Sequence, residues 1–234
     1  YILNDIVDID KDRCHPQKKY RPLPSGKVSI KSAVILDILI VISVALLSFL
    51  YLDIRILFIF AVYFVINILY SFKLKNVVII DVMIITFGFV LRVESGSIAT
   101  GVQVSPWLFL CTILLSLFLA LNKRKSEIIT LKDKSANHRK ILEEYSVAMI
   151  DNMLTIVTPS ILMAYSLYTF SSVQSKTMMY TIPFVLYGIF RYEYLMDKKN
   201  IGGKPEDVFG SDLPFLVNII LWVISSLIII YFKL

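Results

Sequence analysis

The chain has 234 residues, of which 57% are hydrophobic and 18% charged. An ordinary soluble domain carries about 25% charged residues, and the mean hydropathy here is +0.73. These figures exclude a disordered chain, a collagen-like or disulfide-stapled secreted domain and a water-soluble globule, and they indicate a polytopic membrane protein. The net charge is nevertheless +6, so the positions of 24 Lys and Arg need an explanation.

In chain order, apolar Tyr1-Ile2-Leu3 reads as the last turn of a helix. It runs into Asn4-Asp5-Ile6-Val7-Asp8-Ile9-Asp10-Lys11-Asp12-Arg13. If the helix continues, Asp5, Asp8 and Asp12 recur at i, i+3 and i+7 on one face, with Asn4 beside Asp8. Three carboxylates on one face repel unless a cation bridges them. Hard oxygen donors of this kind suit Mg2+, which is typically held by one or two carboxylates together with substrate phosphates. Asp10 projects elsewhere. The segment Lys18-Lys19-Tyr20-Arg21-Pro22-Leu23-Pro24-Ser25-Gly26-Lys27 follows. Its prolines and glycine predict a stiff turn that presents cations close to the acidic face. Acid and base together fit a magnesium–diphosphate site.

A membrane-crossing helix needs about 20 mostly apolar residues. Seven stretches qualify: Ile30–Tyr51, Ile54–Phe72, Val77–Ile98, Pro106–Leu121, Tyr145–Ser171, Met178–Met196 and Leu213–Tyr231. Continuous rather than alternating apolar residues argue for helices and against a β-barrel. Asp81 and Arg92 fall inside the third span. Asp81 is read as lying at the interface, and Arg92 as either a functional charge or a snorkelling one paired with Glu94. Tyr70 and Lys75 flank the end of the second span, where they could help to hold diphosphate. Cys14, Cys111, His15 and His138 are isolated and suggest neither a disulfide nor zinc.

The basic residues lie in alternate loops: seven in 11–31, Lys73 and Lys75 in 73–75, seven in 122–140 and four in 191–204, or twenty of the 24. By the positive-inside rule that face is cytoplasmic, and so is any site on it. No nucleic-acid partner is expected; the membrane is one partner, and a second copy of the chain is kept as a candidate.

N-D-x-x-D-x-x-x-D followed by R-P-L-P-S-G resembles the first signature of the UbiA superfamily of intramembrane transferases. Asn4, Asp5, Asp8, Asp12 and Arg21 fall on its positions. The resemblance implies an all-α, polytopic membrane helical bundle, nine helices around a cavity in the family. Residues 1–234 would form a single transmembrane domain lacking the family's first helix and most of its second.

UbiA prenyltransferases carry a second acidic motif, D-x-x-x-D. At that position this chain has Lys123-Arg124-Lys125-Ser126-Glu127, which suits an anion better than a second metal. The K-R-x-x-E pattern is similar to the branch of the superfamily that makes decaprenyl-phosphoryl phosphoribose. So are Arg13-Cys14-His15-Pro16, Lys19-Tyr20-Arg21-Pro22, Leu91-Arg92 with Gly96 and Ala99-Thr100, Arg191-Tyr192, and Gly203-Lys204-Pro205-Glu206-Asp207.

The resemblance implies transfer of phosphoribose from 5-phosphoribosyl 1-diphosphate to a polyprenyl phosphate. Mg2+ would sit on Asp5, Asp8 and Asp12. Lys123 and Arg124 would contact the donor or the acceptor phosphate. Asn4, Lys19, Tyr20, Arg21, Tyr70, Lys75, Arg92, Glu127, Arg191, Tyr192, Glu206 and Asp207 would line the substrate site. A UbiA-type prenyltransferase with a degenerate second motif is the alternative. A transporter fits less well, because the carboxylates cluster at one mouth rather than forming a relay through the membrane.

Overall fold

A computed structural model describes residues 2–14, 18–132, 141–171, 176–199 and 205–232 of the chain. Every regular element among them is helical. They are α1 (Ile2–Val7), α2 (Ile9–Cys14), α3 (Ile30–Tyr51), α4 (Ile54–Phe72), α5 (Ile80–Thr100), α6 (Pro106–Lys132), α7 (Ile141–Glu144), α8 (Val147–Ser171), α9 (Ile182–Lys199), α10 (Pro205–Ser211) and α11 (Leu213–Phe232).

Six of these, α3, α4, α5, α6, α8 and α11, are long and apolar enough to cross a membrane. Only 11% of the α3 span is buried within the protein. Its Ile, Leu and Phe side chains face outward, an arrangement that lipid tolerates and water does not. The seventh expected span differs from its prediction. Lys176–Thr181 forms a 3₁₀ segment, and α9 starts only at Ile182. α9 then carries Arg191, Glu193, Asp197, Lys198 and Lys199, too many charges for an ordinary lipid-facing helix.

Polar caps set where these helices begin. An oxygen-bearing side chain at the N-cap satisfies an otherwise orphaned backbone donor and is worth about 1 kcal/mol. Ser29 accepts from Ser32 N–H at 3.1 Å to start α3. Ser105 accepts from Leu108 N–H, with Pro106 in the first turn of α6. Ser146 accepts from Met149 N–H to start α8. Asp53 caps α4 through Arg55 N–H at 2.8 Å, and its side chain also binds the Arg55 guanidinium. Those hydrogen bonds hold the Asp53 carboxyl down at about 2.

The chain divides into two compact units. The first holds α1 to α4 and both ends of α5. Its small core is Ile9, Leu23 and Ala33, with Ile2 and Ile6 packed against it. The second holds α6, α8 to α11 and the middle of α5. There α8 packs on α6 and α9, and α9 packs on α11. Phe118, Tyr192, Phe215 and Phe209 form an aromatic run with centroids 5.4 to 6.1 Å apart.

Candidate active site

The acidic stretch is two short helices meeting at Asp8, and backbone bonding runs through the junction. Asp8 N–H donates to Asn4 O at 2.9 Å, and Asp12 N–H to Asp8 O at 2.8 Å. Asp5, Asp8 and Asp12 therefore share a face, as their spacing predicts. Asp8 and Asp12 are buried.

The cations that quiet this face come from the chain itself. Arg21 Nη1 donates to Asp5 Oδ1 at 2.7 Å and to Asp12 Oδ2 at 3.2 Å. Lys75 Nζ donates to Asp8 Oδ1 at 2.7 Å. Lys11 lies 4.0 Å from Asp8, and Lys18 lies 4.0 Å from Asp12. Asp10, off this face, pairs with Arg13 at 3.4 Å.

Local folding puts both principal cations in place. Arg21 precedes a turn closed by Ser25 N–H to Arg21 O, Gly26 N–H to Leu23 O and Val28 N–H to Pro22 O. Gly26 takes φ +77°, which glycine adopts without penalty. Leu23 anchors the turn in the core, and Arg13 Nε donates to Pro24 O. Lys75 sits in the 3₁₀ turn Leu74–Asn76 that follows α4. Just beyond it, Ile79 holds φ +70°, a strained conformation for a β-branched residue that costs roughly 1–3 kcal/mol. Asp81, expected at the interface, is wholly buried in the first turn of α5. Lys19 lies over the Tyr20 ring at 5.0 Å, and both are exposed. Tyr70 is half-buried near the end of α4.

A hard divalent cation needs oxygen donors. The three carboxylates supply them, and the buried Asn4 Oδ1 has no hydrogen-bond partner. That donor chemistry fits Mg2+. Yet among the described residues no three acidic, imidazole or thiol side chains converge on one point. Asp5 and Asp12 share Arg21, while Asp8 turns to Lys75.

In the second unit, the stretch expected as a loop from residue 122 is helix as far as Lys132. The cations of α6 differ in burial and in partners. Lys123 is exposed and has no partner among the described residues. Arg124 is buried and ion-paired with Glu127 one turn on. Lys125 joins three helices, lying 2.8 Å from Asp151 of α8 and 3.4 Å from Asp197 of α9.

Arg191 makes a two-pronged bond to Asp212, at 3.0 and 2.8 Å, and stacks 4.9 Å from the Tyr194 ring. Tyr192, expected at the substrate, is 4% exposed and packs in the aromatic core. Arg92 of α5 meets Tyr63 of α4. Its Nη2 donates to Tyr63 Oη at 2.6 Å, and it lies over the same ring. Glu206 and Asp207 lie on α10, with side chains outside the described residues; His15, Pro16, Gly203 and Lys204 lie outside them altogether.

Sequence reasoning missed Asp151, Asp197 and Asp212 as partners, and it missed Glu193, which accepts from Thr158 Oγ1 at 2.9 Å. A lone carboxylate in the otherwise apolar Tyr145–Ser171 stretch was the signal available for Asp151.

The profile of the UbiA prenyltransferase family matches residues 1–229. The chain belongs to the UbiA prenyltransferase family. It is an integral membrane protein and a membrane-embedded transferase. The decaprenyl-phosphate phosphoribosyltransferase of Corynebacterium glutamicum is 31% identical to it, over 99% of this chain and 71% of that protein. The enzyme of the same name from Mycolicibacterium smegmatis is 28% identical, over 100% of this chain and 76% of that protein. Among solved structures, a UbiA homolog from Archaeoglobus fulgidus bound to DMAPP and Mg2+ aligns with a TM-score of 0.70. At 16% identity, covering 98% of this chain and 82% of that one, it speaks for the fold of this UbiA protein.

Proposed function

We propose that this UbiA-family transferase moves 5-phosphoribose from 5-phosphoribosyl 1-diphosphate to a polyprenyl phosphate of the decaprenyl kind, releasing diphosphate, with Mg2+ and on the cytoplasmic face. Residues 1–234 are read as one UbiA-type transmembrane domain. The observation that carries the reading is the Lys123-Arg124…Glu127 pattern at the place of the family's second acidic motif. With Arg124 already paired to Glu127, nothing in that turn offers a pair of free carboxylates to a second metal. The names of the corynebacterial and mycobacterial relatives support the same transferred group and acceptor.

In this reading Asp5, Asp8 and Asp12, with Asn4 beside them, would hold the magnesium, which would supply charge neutralisation to the leaving diphosphate. An oxygen of the acceptor phosphate attacks ribose C1. The bond from C1 to the diphosphate oxygen breaks, and diphosphate departs with the electron pair. The acceptor is an anion at neutral pH, so no strong general base is required. Arg21 and Lys75 serve the diphosphate, and Lys19 and Lys123 are the exposed cations available to the remaining phosphates. Arg124 and Arg191 act as positioning residues, each tied to a carboxylate. Catalysis is then chiefly orientation and electrostatics.

Purified protein with Mg2+ should release diphosphate from phosphoribosyl diphosphate only when a polyprenyl phosphate is added. The competing reading is prenyl transfer, favoured by the DMAPP in the solved homolog. Turnover of a prenyl diphosphate with an aromatic acid, and none of phosphoribosyl diphosphate, would establish it instead.

A further inference from the structure

We propose that Lys125, clamped by Asp151 and Asp197, is a positioning residue. The clamp fixes the rotation of α6 about its own axis, and so decides which of three consecutive cations meets a substrate phosphate. The inference rests on the reading above that Lys123 serves such a phosphate.

A helix turns by about 100° per residue. Lys123, Arg124 and Lys125 therefore point in three directions, and the rotation of α6 selects among them. Lys123 is exposed, Arg124 is buried with Glu127 as a partner, and Lys125 turns toward α8 and α9. Rotation by one residue step would put a different cation where Lys123 now stands.

Apolar packing by itself specifies this rotation weakly. Phe118, Leu121, Lys125 and Ile128 recur at i, i+3, i+7 and i+10, so they share one face of α6. Phe118, Leu121 and Ile128 are buried, and Phe118 meets Tyr192 of α9. Lys125 is the charged member of that row. Apolar side chains of similar size replace one another at modest cost. An ammonium, in contrast, is satisfied only where carboxylates stand. A single polar group on an apolar interhelical face fixes register in the same way in coiled coils.

The two carboxylates form a fixed receiver. Asp151 of α8 lies 2.8 Å and Asp197 of α9 lies 3.4 Å from Lys125 Nζ. Four residues before Asp197 and seven after Asp151, Glu193 accepts from Thr158 Oγ1 at 2.9 Å, which ties the same two helices a second time. Asp151 and Asp197 keep side chains 46% and 68% exposed, so removing the lysine charge strands no buried carboxylate.

The test is thiol labelling of the full chain in detergent by a charged methanethiosulfonate. Cys14→Ser with Cys111→Ser is the background, and Lys123→Cys or Arg124→Cys places a single thiol. Each rate is divided by the rate in the unfolded chain. With Lys125 intact, position 123 should label about tenfold faster than position 124, because a buried thiol reacts only through local opening. Lys125→Met keeps the apolar stem and removes the charge. It should slow position 123 and quicken position 124 until the two rates are near equal, and Lys125→Arg should keep them apart. Should Lys125→Met fail to fold, Asp151→Asn with Asp197→Asn takes its place and should narrow the ratio in the same sense. An unchanged ratio overturns the proposal, since apolar packing alone would then set the rotation. Quickening at both positions overturns it too, because that is general loosening and not rotation. No substrate enters the labelling. Rates that converge while KM for both phosphate substrates stays unaltered in Lys125→Met would support the clamp and overturn the assignment of Lys123 to a phosphate.

Discussion

Lys75 Nζ lies 2.7 Å from Asp8 Oδ1, with only 2% and 3% of the two side chains exposed. Sixty-seven residues separate them in the chain, yet the pair ties the turn after α4 to the junction of α1 and α2. Removing one member of a buried pair strands the other charge, which costs about 3–5 kcal/mol. Lys75→Met should therefore destabilise the protein strongly in thermal unfolding followed in detergent. The double variant Lys75→Met with Asp8→Leu should regain much of the loss. An unchanged melting temperature in Lys75→Met would show that the pair carries no stability.

Asp8 is also the carboxylate nearest the middle of the acidic face. Asp8→Asn keeps its shape and removes its charge. Diphosphate release should fall by on the order of a hundredfold or more, the usual cost of losing one group that stabilises transition-state charge. Retained activity would mean that this face does not hold the metal.

The neighbouring cations of α6 should separate into two behaviours. Lys123→Ala should raise KM for one of the two phosphate substrates by about tenfold, as expected for loss of a charged hydrogen bond of about 1.5 kcal/mol, and leave the melting temperature alone. Lys125→Ala removes the clamp on Asp151 and Asp197. It should lower stability by roughly 1.5–3 kcal/mol and shift melting more than KM. If both variants affected only KM, the clamp would be catalytic rather than structural.

Asp212 does two jobs. It accepts both prongs of Arg191, and it caps α11 by accepting Phe215 N–H at 2.9 Å. Asparagine keeps a capping oxygen and alanine does not. Asp212→Ala should therefore be about 1 kcal/mol less stable than Asp212→Asn, the usual worth of a cap. Equal stability would mean that the ion pair, and not the cap, sets the end of α11.

Much of the fold was legible before any coordinates. Six of the seven expected spans appear as apolar helices, five with bounds close to those predicted and the one from Pro106 running on to Lys132. The seventh starts later, because Lys176–Thr181 is a 3₁₀ segment, and Arg191, Glu193 and Asp197 of α9 find partners elsewhere in the second unit. The shared face of Asp5, Asp8 and Asp12 was equally legible, since helical spacing alone creates it. Arg21 was legible as a nearby cation because it follows Asp12 by only nine positions. Lys75 was legible as a candidate for diphosphate, but its pairing with Asp8 was not, because the two lie in different segments of the chain. Nor did sequence distinguish Tyr192, which fills a core, from Tyr20, which stands exposed.

Sequence by itself determined what is local: an apolar, helical, membrane-spanning chain, its basic loops, and an acidic face set by a three-and-four-residue rhythm. Tertiary structure decided which cation meets which carboxylate. Helical periodicity acts over a few residues, whereas an ion pair forms only between side chains that packing has brought together.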